Sequence, residues 1–568
     1  MAPSTKRTNK ISKPPPRKIP GFPHGESKIS SRVKEPETLS IKRFFNTTGP
    51  CNPIDHYMLP PQERLIGAQL NRYIENKLYW VLHAPRQTGK TTFLLAWMRE
   101  INASGQALVC YVSVETCQGV TDPVQAMPAL ASTIISEARS QLGASLTPKL
   151  PRVPPLDLLR ETLRAWAGIV APKPLVVLFD EVDVLQDKTM ISFLRQLRSG
   201  FANRGVGTFP VSVALVGMRD LRDFLVKAKD GASVNPGSPF NIKEDSARIG
   251  NFSPADVAKL LKQHSDEFGQ LFTPEAVNLV FELTGGQPWL VNSLAKKCVW
   301  KLVPQETREP VTATHIRQAK ELLIRERAVH LDSLAERLKD PRVKHVVETI
   351  LIGDIDPQMA EGDDFRLCLD LGLVVVDDGT PQIANPIYRE VIPRVLSQGL
   401  QLAIPAPEFR WQRDDGSLDM PALLKQFQAF WKRHSEIWEG KADYSEAFPH
   451  LLLMAFFQRV TNGNGRIERE YAAGRGRVDL AIEFGGRWSI VEIKLVHPRD
   501  GRNAAIEEGL QQIAAYRERL PQEIGPGSHL PKGVPVEAFL VIFDRRPEAR
   551  LTWEIRSNHG GPITVVGA

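Results

Sequence analysis

Two β-prone runs near the C-terminus carry charges where a buried strand should carry none: Val478-Asp479-Leu480-Ala481-Ile482 and Ser489-Ile490-Val491-Glu492-Ile493-Lys494-Leu495. Unpaired charge is costly to bury, so charges at such positions imply a use. Phe484-Gly485-Gly486-Arg487 joins the runs and reads as a two-residue hairpin, because paired glycines accept the positive φ angles of that turn. The turn pairs Phe484 with Arg487 and, followed back along both strands, Asp479 with Glu492. A longer turn would shift this register. Opposed residues have Cβ atoms roughly 5 Å apart, and at an effective dielectric near ~20 two like charges there repel by about 3 kcal/mol. A domain has only ~5–15 kcal/mol of net stability, so a divalent cation is the natural counter-charge. Lys494 points to the same face as Glu492. Two carboxylates and an ammonium around a metal ion suit phosphodiester cleavage. The competing reading is that Lys494 alone neutralises the acids of a half-exposed hairpin.

Asp479 followed by Glu492-x-Lys494 resembles the core of the PD-(D/E)XK nucleases, with Val478 standing where the motif has proline. Glycine-punctuated basic sequence, Gly474-Arg475-Gly476-Arg477, precedes the aspartate. The helix-like stretch from Asn503 to Arg519 holds Gln512 and Tyr516 four apart, hence on one face, and resembles the QxxxY motif of RecB-like nucleases. The resemblance covers roughly residues 440–545. It implies Mg²⁺ held by Asp479, Glu492 and the Ile493 carbonyl, with Lys494 positioning or activating water and Gln512 and Tyr516 completing the catalytic set. Glu446 is the candidate for an upstream acid.

A second chemistry lies some four hundred residues earlier. The apolar run Leu78-Tyr79-Trp80-Val81-Leu82 leads into Ala84-Pro85-Arg86-Gln87-Thr88-Gly89-Lys90-Thr91, and a helix-like stretch opens at Thr92. Strand, loop, then helix is the setting of a P-loop, whose amides cradle phosphates. Lys90 would reach the β- and γ-phosphates of ATP, and the Thr91 hydroxyl would ligate Mg²⁺. Ala84 occupies the place of the first motif glycine. Pro174-Leu175-Val176-Val177-Leu178-Phe179-Asp180-Glu181 reads as a buried parallel strand delivering carboxylates at its C-terminal end, a Walker B pattern. Asp180 would hold Mg²⁺ through water and Glu181 would polarise the attacking water. A third strand, Val211 to Gly217, ends beside Arg219, which either contacts the γ-phosphate or pairs with Asp220 or Asp223.

The order of these elements resembles AAA-like ATPases of the ASCE group, especially the archaeal-type ATPases related to the STAND class. Gly285-Gly286-Gln287-Pro288 is similar to the GxP motif of that family's helical lid, and it also reads as a plain helix stop and restart. Ser253 and Pro254 read as a helix cap and first turn. Pro53 to Pro60 either line the adenine pocket or form a simple loop.

The 568 residues suggest three or four domains, and the composition is ordinary for a globular protein. No apolar run approaches the ~18 residues of a membrane span, and no signal peptide is visible. Five cysteines without a CxxC pair suggest a reduced, cytoplasmic protein without a zinc site. The net charge of +7 belongs to the N-terminus, where residues 1–34 hold nine Lys or Arg and one acid. With six prolines, that tail is expected to be disordered, either a nucleic-acid-binding arm or a solubilising extension.

The expected fold class is α/β. Residues 1–42 form the tail, 43–249 a P-loop ASCE parallel-sheet ATPase core, 250–329 a helical lid, 330–400 a winged-helix-like module and 401–568 a PD-(D/E)XK-like domain. The acidic helix at Asp363 to Leu371 favours packing or protein contact over reading a major groove. The expected activity is Mg²⁺-dependent cleavage of nucleic acid, DNA in the first instance, under ATPase control. The alternative is an ATP-driven switch or scaffold whose last domain binds without cutting. A DNA-binding regulator acting through the winged helix is a third reading. A homo-oligomer is compatible with the resemblance, since AAA relatives form rings whereas STAND-type relatives can stay monomeric until triggered.

Overall fold

The structure, a computed structural model, describes residues 42–66, 70–218, 243–326, 329–352, 359–403, 412–439, 448–461, 465–473, 476–484, 487–496, 501–519, 536–544, 551–558 and 561–567. The basic tail, Arg219, Asp220 and Asp223, Glu446, Gly474-Arg475, and the hairpin glycines Gly485 and Gly486 lie outside the described residues.

Six strands make the first sheet: β1 (Leu65–Ile66), β2 (Tyr79–His83), β3 (Leu108–Ser113), β4 (Leu175–Asp180), β5 (Ser212–Gly217) and β6 (Lys243–Ile249). Their order is β1-β6-β2-β5-β4-β3, parallel except for β1, which pairs antiparallel with β6 at the edge. Every residue of β4 is buried, as an apolar strand covered on both faces must be. Because β5 stands between β2 and β4, this is the strand order of the P-loop ASCE ATPase fold. One core lies on each face, around Trp166, Phe179 and Phe193 on one side and Trp80, Phe93 and Trp97 on the other. The P-loop and the Walker B acids both fall at the C-terminal ends of parallel strands, where ligands collect in such sheets.

A helical lid follows, with helices Pro254–Phe268, Pro274–Thr284, Pro288–Lys297 and Ala313–Arg325. Its first helix opens as expected: the Ser253 hydroxyl accepts from the Asp256 amide and the Asp256 carboxylate accepts from the Ser253 amide, a capping box ahead of Pro254. The lid shares one core with the next segment, which contains helices Val329–Arg337, Pro341–Ile352 and Asp363–Asp370 and the hairpin β7 (Val374–Asp377) to β8 (Thr380–Ile383). The last acid of the helix Asp363–Asp370 faces the first sheet, while Asp363 at its start is exposed. Asp370 Oδ1 lies 3.7 Å from His83 Nδ1 at the end of β2, and Gly372 sits so close that a Cβ there would meet Pro85 Cγ at 2.6 Å.

The helix Pro386–Ala403 carries the chain onward, and its Leu396 packs against both the lid core and the core of a second sheet. That sheet comprises β9 (Gly465–Ala473), β10 (Gly476–Phe484), β11 (Arg487–Val496), β12 (Glu537–Asp544), β13 (Thr552–Asn558) and β14 (Gly561–Gly567), in the order β13-β14-β12-β11-β10-β9. β9, β10 and β11 run antiparallel, while β11, β12 and β14 run parallel. Helices Met420–Glu439 and Phe448–Thr461 cover one face, and helix Arg502–Arg519 crosses the other between β11 and β12. No helix among the described residues is long and apolar enough to cross a membrane.

The lid joint gives the first prediction. Gly286 has φ +69° and accepts from the Phe252 amide at 2.8 Å, and a Cβ on it would fall 1.9 Å from the Phe252 carbonyl oxygen. Backbone cannot yield as a flexible side chain can, so Gly286→Ala should cost ~1–3 kcal/mol in denaturant unfolding. An unchanged unfolding midpoint would show that the joint is not held this way.

Candidate functional site

At the end of β2 the chain turns through Ala84 to Thr91 and enters helix Lys90–Ser104. The positive φ angles fall on Gln87 and Gly89, at 59° and 96°, and not on Ala84. Alanine in place of the first motif glycine therefore carries no backbone strain. Lys90 Nζ donates to the carbonyls of Ala84 and Pro85 at 2.8 and 2.9 Å, and the Thr88 hydroxyl donates to the Pro85 carbonyl at 2.8 Å. Burial pushes the Lys90 ammonium down to about 8, against the pull of Asp180 and Asp183. Thr91 Oγ1 donates to Asp180 Oδ2 at 2.8 Å, so the two expected Mg²⁺-side groups meet. Arg86 is exposed at the rim, the Gln87 carbonyl accepts from Gln287 of the lid at 3.5 Å, and Thr92 Oγ1 accepts from the Cys51 amide at 3.0 Å.

Two residues of β3 complete the acidic end, and sequence reasoning did not single them out. Tyr111 OH donates to Asp180 Oδ2 at 3.1 Å, and Ser113 Oγ donates to Glu181 Oε2 at 2.8 Å. Burial raises both carboxyls, with Thr91 and Lys90 opposing the shift at Asp180 and Ser113 opposing it at Glu181. Glu181 itself has φ 62°, a costly conformation for a non-glycine residue that recurs at working sites. Arg64 straps the loop from outside. It donates to the carbonyls of Thr88 and Gly250 at 2.9 and 3.1 Å and lies 4.8 Å over the Phe252 ring, tying the P-loop to the lid entrance. These groups line a cavity of about 980 Å³ that continues past Tyr57, Leu59 and Trp289, large enough for a nucleotide. Of the segment Pro53 to Pro60, Tyr57 to Leu59 line this cavity, whereas Ile54 points to solvent.

The second site lies on the helix-covered face of the second sheet. The pairings Leu480↔Val491 and Phe484↔Arg487 are those of a two-residue turn. Asp479 and Glu492 therefore share a face with Ala481 and Ile490, under helix Arg502–Arg519. Asp479 Oδ2 accepts from the Ile493 amide at 2.7 Å, so Ile493 is engaged through its N–H. Glu492 is 4% exposed, and its Oε2 is buried with no hydrogen-bond partner among the described residues. Burial first, and the neighbouring Asp479 second, hold its carboxyl well above the usual carboxylate range.

Lys494 departs from the expectation. Its ammonium lies 3.9 Å from Glu492 but only 2.8 Å from Glu508 on the covering helix. Gln512 Nε2 also reaches Glu508, at 3.4 Å, while Gln512 Oε1 is buried without a partner. Among the described residues Lys494 therefore serves two acids, Glu508 more closely than Glu492. Tyr516, one helical turn beyond Gln512, is buried in the core with Trp488 and Ile490 and so braces the helix. Glu508 was not legible beforehand, because its partner is brought to it only by the strand–helix crossover. Among the described residues no group of three or more His, Cys, Asp or Glu side chains is gathered as a metal site. Any ion here would rest on two carboxylates, main chain and water. The orphaned Glu492 oxygen beside Asp479 fits that donor set.

No protein-family model and no curated protein matches the chain. Solved structures to which it is similar include the Walker-type ATPase PABY2304 of Pyrococcus abyssi, with 17% identity, 61% of this chain and 99% of that one covered, and a TM-score of 0.45. The RuvB Holliday junction branch migration motor of Thermotoga maritima has 11% identity, 55% and 88% coverage and a TM-score of 0.30. Cdc6p from Pyrobaculum aerophilum has 15% identity, 58% and 92% coverage and a TM-score of 0.31.

Glu492 also predicts a pH dependence. Its folded carboxyl keeps a proton that the unfolded chain releases, so its contribution to stability is complete below the ordinary carboxylate pKa and is lost as pH rises through the raised one. Without divalent metal, Glu492→Gln should therefore be more stable than the parent by ~1 kcal/mol or more at about pH 9, with the gap closing toward about pH 5. Thermal unfolding at both pH values checks this; a variant less stable than the parent at the higher pH would contradict it.

Proposed function

We propose that the chain is an ATP-binding and ATP-hydrolysing protein whose second sheet carries a Mg²⁺-dependent nuclease site, acting on nucleic-acid phosphodiesters under control of the nucleotide. The observation that carries the nuclease half is the buried, unpartnered Glu492 oxygen next to Asp479, with Lys494 on the same face. The ATPase half rests on Lys90, Thr91, Asp180 and Glu181 at the ends of two parallel strands.

At the P-loop, the main-chain amides after Gln87 and the start of helix Lys90–Ser104 would take the phosphates, Lys90 leaving its carbonyl partners for the β- and γ-oxygens. Mg²⁺ would sit between Thr91 and Asp180. Glu181, held by Ser113, would orient the attacking water. At the second site, a divalent ion would polarise the phosphoryl oxygen and acidify water when bound. Asp479 and Glu492 would hold it, the Ile493 carbonyl being the main-chain ligand that the nuclease resemblance suggests. Lys494 would orient water once its pair with Glu508 opens. The domain limits set out above, with a winged-helix-like module at 330–400, belong to this reading. DNA is the proposed substrate, the resemblance to nucleases of that group being its support.

A specific observation favours a second reading, an ATP-driven switch that binds nucleic acid or a partner without cutting it. The Lys494–Glu508 pair diverts the lysine from the acids. The two readings separate in one assay. Purified full chain should cleave DNA with Mg²⁺ or Mn²⁺, and Asp479→Ala should abolish cleavage while leaving ATP binding intact. Cleavage unchanged in that variant overturns the site, and no cleavage by the parent in any nucleotide state favours the switch. Glu181→Gln should retain ATP binding and lose hydrolysis by ~10²–10⁴-fold, read by phosphate release; full hydrolysis in that variant contradicts its assigned role.

A further inference from the structure

The lid helix Pro288–Lys297 begins beside the P-loop and contributes a wall of the nucleotide cavity. Its cap residue, Gln287, donates to the Gln87 carbonyl, and Pro288, Trp289, Asn292 and Ser293 then line the cavity. Asn292 stands one turn, about 6 Å, beyond Pro288 along that helix. The surroundings suit the flat face of a base. Leu59 and Trp289 present apolar surface, and the Trp289 indole nitrogen is committed to the Thr47 carbonyl at 2.9 Å. Asn292 is 7% exposed. Its Nδ2 donates to the Pro288 carbonyl at 2.8 Å, which fixes the orientation of the amide. Its Oδ1 is buried with no hydrogen-bond partner among the described residues. A buried acceptor without a donor is costly, so one kept in a cavity wall fits a donor carried by the ligand. Ser293, the next residue, is also buried in that wall, and among the described residues its hydroxyl makes no hydrogen bond.

We infer that Asn292 selects the base of the bound nucleotide, its Oδ1 accepting from the 6-amino group of adenine while the Ser293 hydroxyl donates to N1. This deepens the ATP-site reading given above and rests on it. Adenine offers an amino donor at its sixth position, whereas guanine and hypoxanthine offer an acceptor oxygen there, with an N–H at N1. Ser293 can serve either pattern, because a hydroxyl both donates and accepts and turns freely. Asn292 cannot. The Pro288 carbonyl holds its Nδ2, so the amide keeps its oxygen toward the remaining side and has no donor for a 6-oxo base. A 6-oxo nucleotide would set two acceptors against each other in a buried wall. The discrimination therefore falls on Asn292. Because it belongs to a lid helix, the base is read by the lid, while the phosphates are read by the P-loop.

The test measures equilibrium binding of ADP and of IDP to the full chain in Mg²⁺; the two ligands differ only in the 6-amino or 6-oxo group and the N1 proton. The parent should bind ADP ~10-fold more tightly than IDP, since a paired buried acceptor is exchanged for two opposed ones. Asn292→Leu, of similar size but without an acceptor, and Asn292→Ala should each bring the two affinities to within about threefold of one another. They do so by weakening ADP while IDP binding is kept or improves. Retained IDP binding reports that the variants are folded, and the ratio of the two affinities is a readout that a residue merely packing the lid would not move. A parent without a preference for ADP, a preference that survives both substitutions, or an equal loss of both nucleotides in both variants overturns the assignment of Asn292. A parent that binds neither nucleotide instead removes the ATP-site reading on which the inference stands.

Discussion

Glu492 is buried with one carboxylate oxygen that no described group satisfies, and Asp479 stands beside it on the neighbouring strand. Like charge at that range in a dry sheet cannot persist without a counter-ion or a proton. Burial first and Asp479 second raise the Glu492 carboxyl well above its ordinary range, and the Lys494 ammonium 3.9 Å away opposes that shift. Much of the second sheet is arranged around this pair. The Ile493 amide holds Asp479 in place, helix Arg502–Arg519 closes the face, and Tyr516 and Ile513 anchor that helix in the core.

The first sheet solves a similar problem differently. Its acids, buried Asp180 and half-buried Glu181 at a strand end, are satisfied by hydroxyls: Thr91 and Tyr111 on one, Ser113 on the other. Lys90 is parked on carbonyls of its own loop, and Arg64 clamps the loop to the lid entrance. The site is thus held in shape by neutral donors and by backbone, ready for phosphates to take over the cationic contacts. Gly286 and Gly372 matter because each lets two backbones or a backbone and a proline approach where a methyl group would not fit. The first closes the lid entrance on Phe252, and the second brings the following segment onto Pro85 of the P-loop.

How much of this could be read beforehand follows from how local each feature is. The register of β10 and β11 was legible because two glycines between apolar runs dictate a short turn, and the ladder follows it from Phe484↔Arg487 to Leu480↔Val491, ending one residue before Asp479. β4 was legible because six apolar-to-acidic residues in sequence, Leu175 to Asp180, have one natural place in a parallel sheet. Ser253 and Pro254 announced their helix by type and position, and the structure added Asp256 as the other half of the cap. What escaped were partners supplied by distant segments: Tyr111 and Ser113 from the strand beside β4, and Arg64 from the short helical turn before β1. Lys494 is the instructive case. Alternation along the strand put it on the right face, yet its nearest acid is Glu508, which only the crossover helix delivers. The place of Asp370 beside His83 required the fold to be known.

The central claim is that Asp479 and Glu492 hold one divalent cation. Binding of Mn²⁺ to the nucleotide-free full chain, followed by electron paramagnetic resonance, tests it most directly. The account predicts one saturable ion per chain, lost in Glu492→Gln and kept in Lys90→Ala. Failure of the parent to bind, or binding that survives Glu492→Gln and disappears with Lys90→Ala, would contradict it.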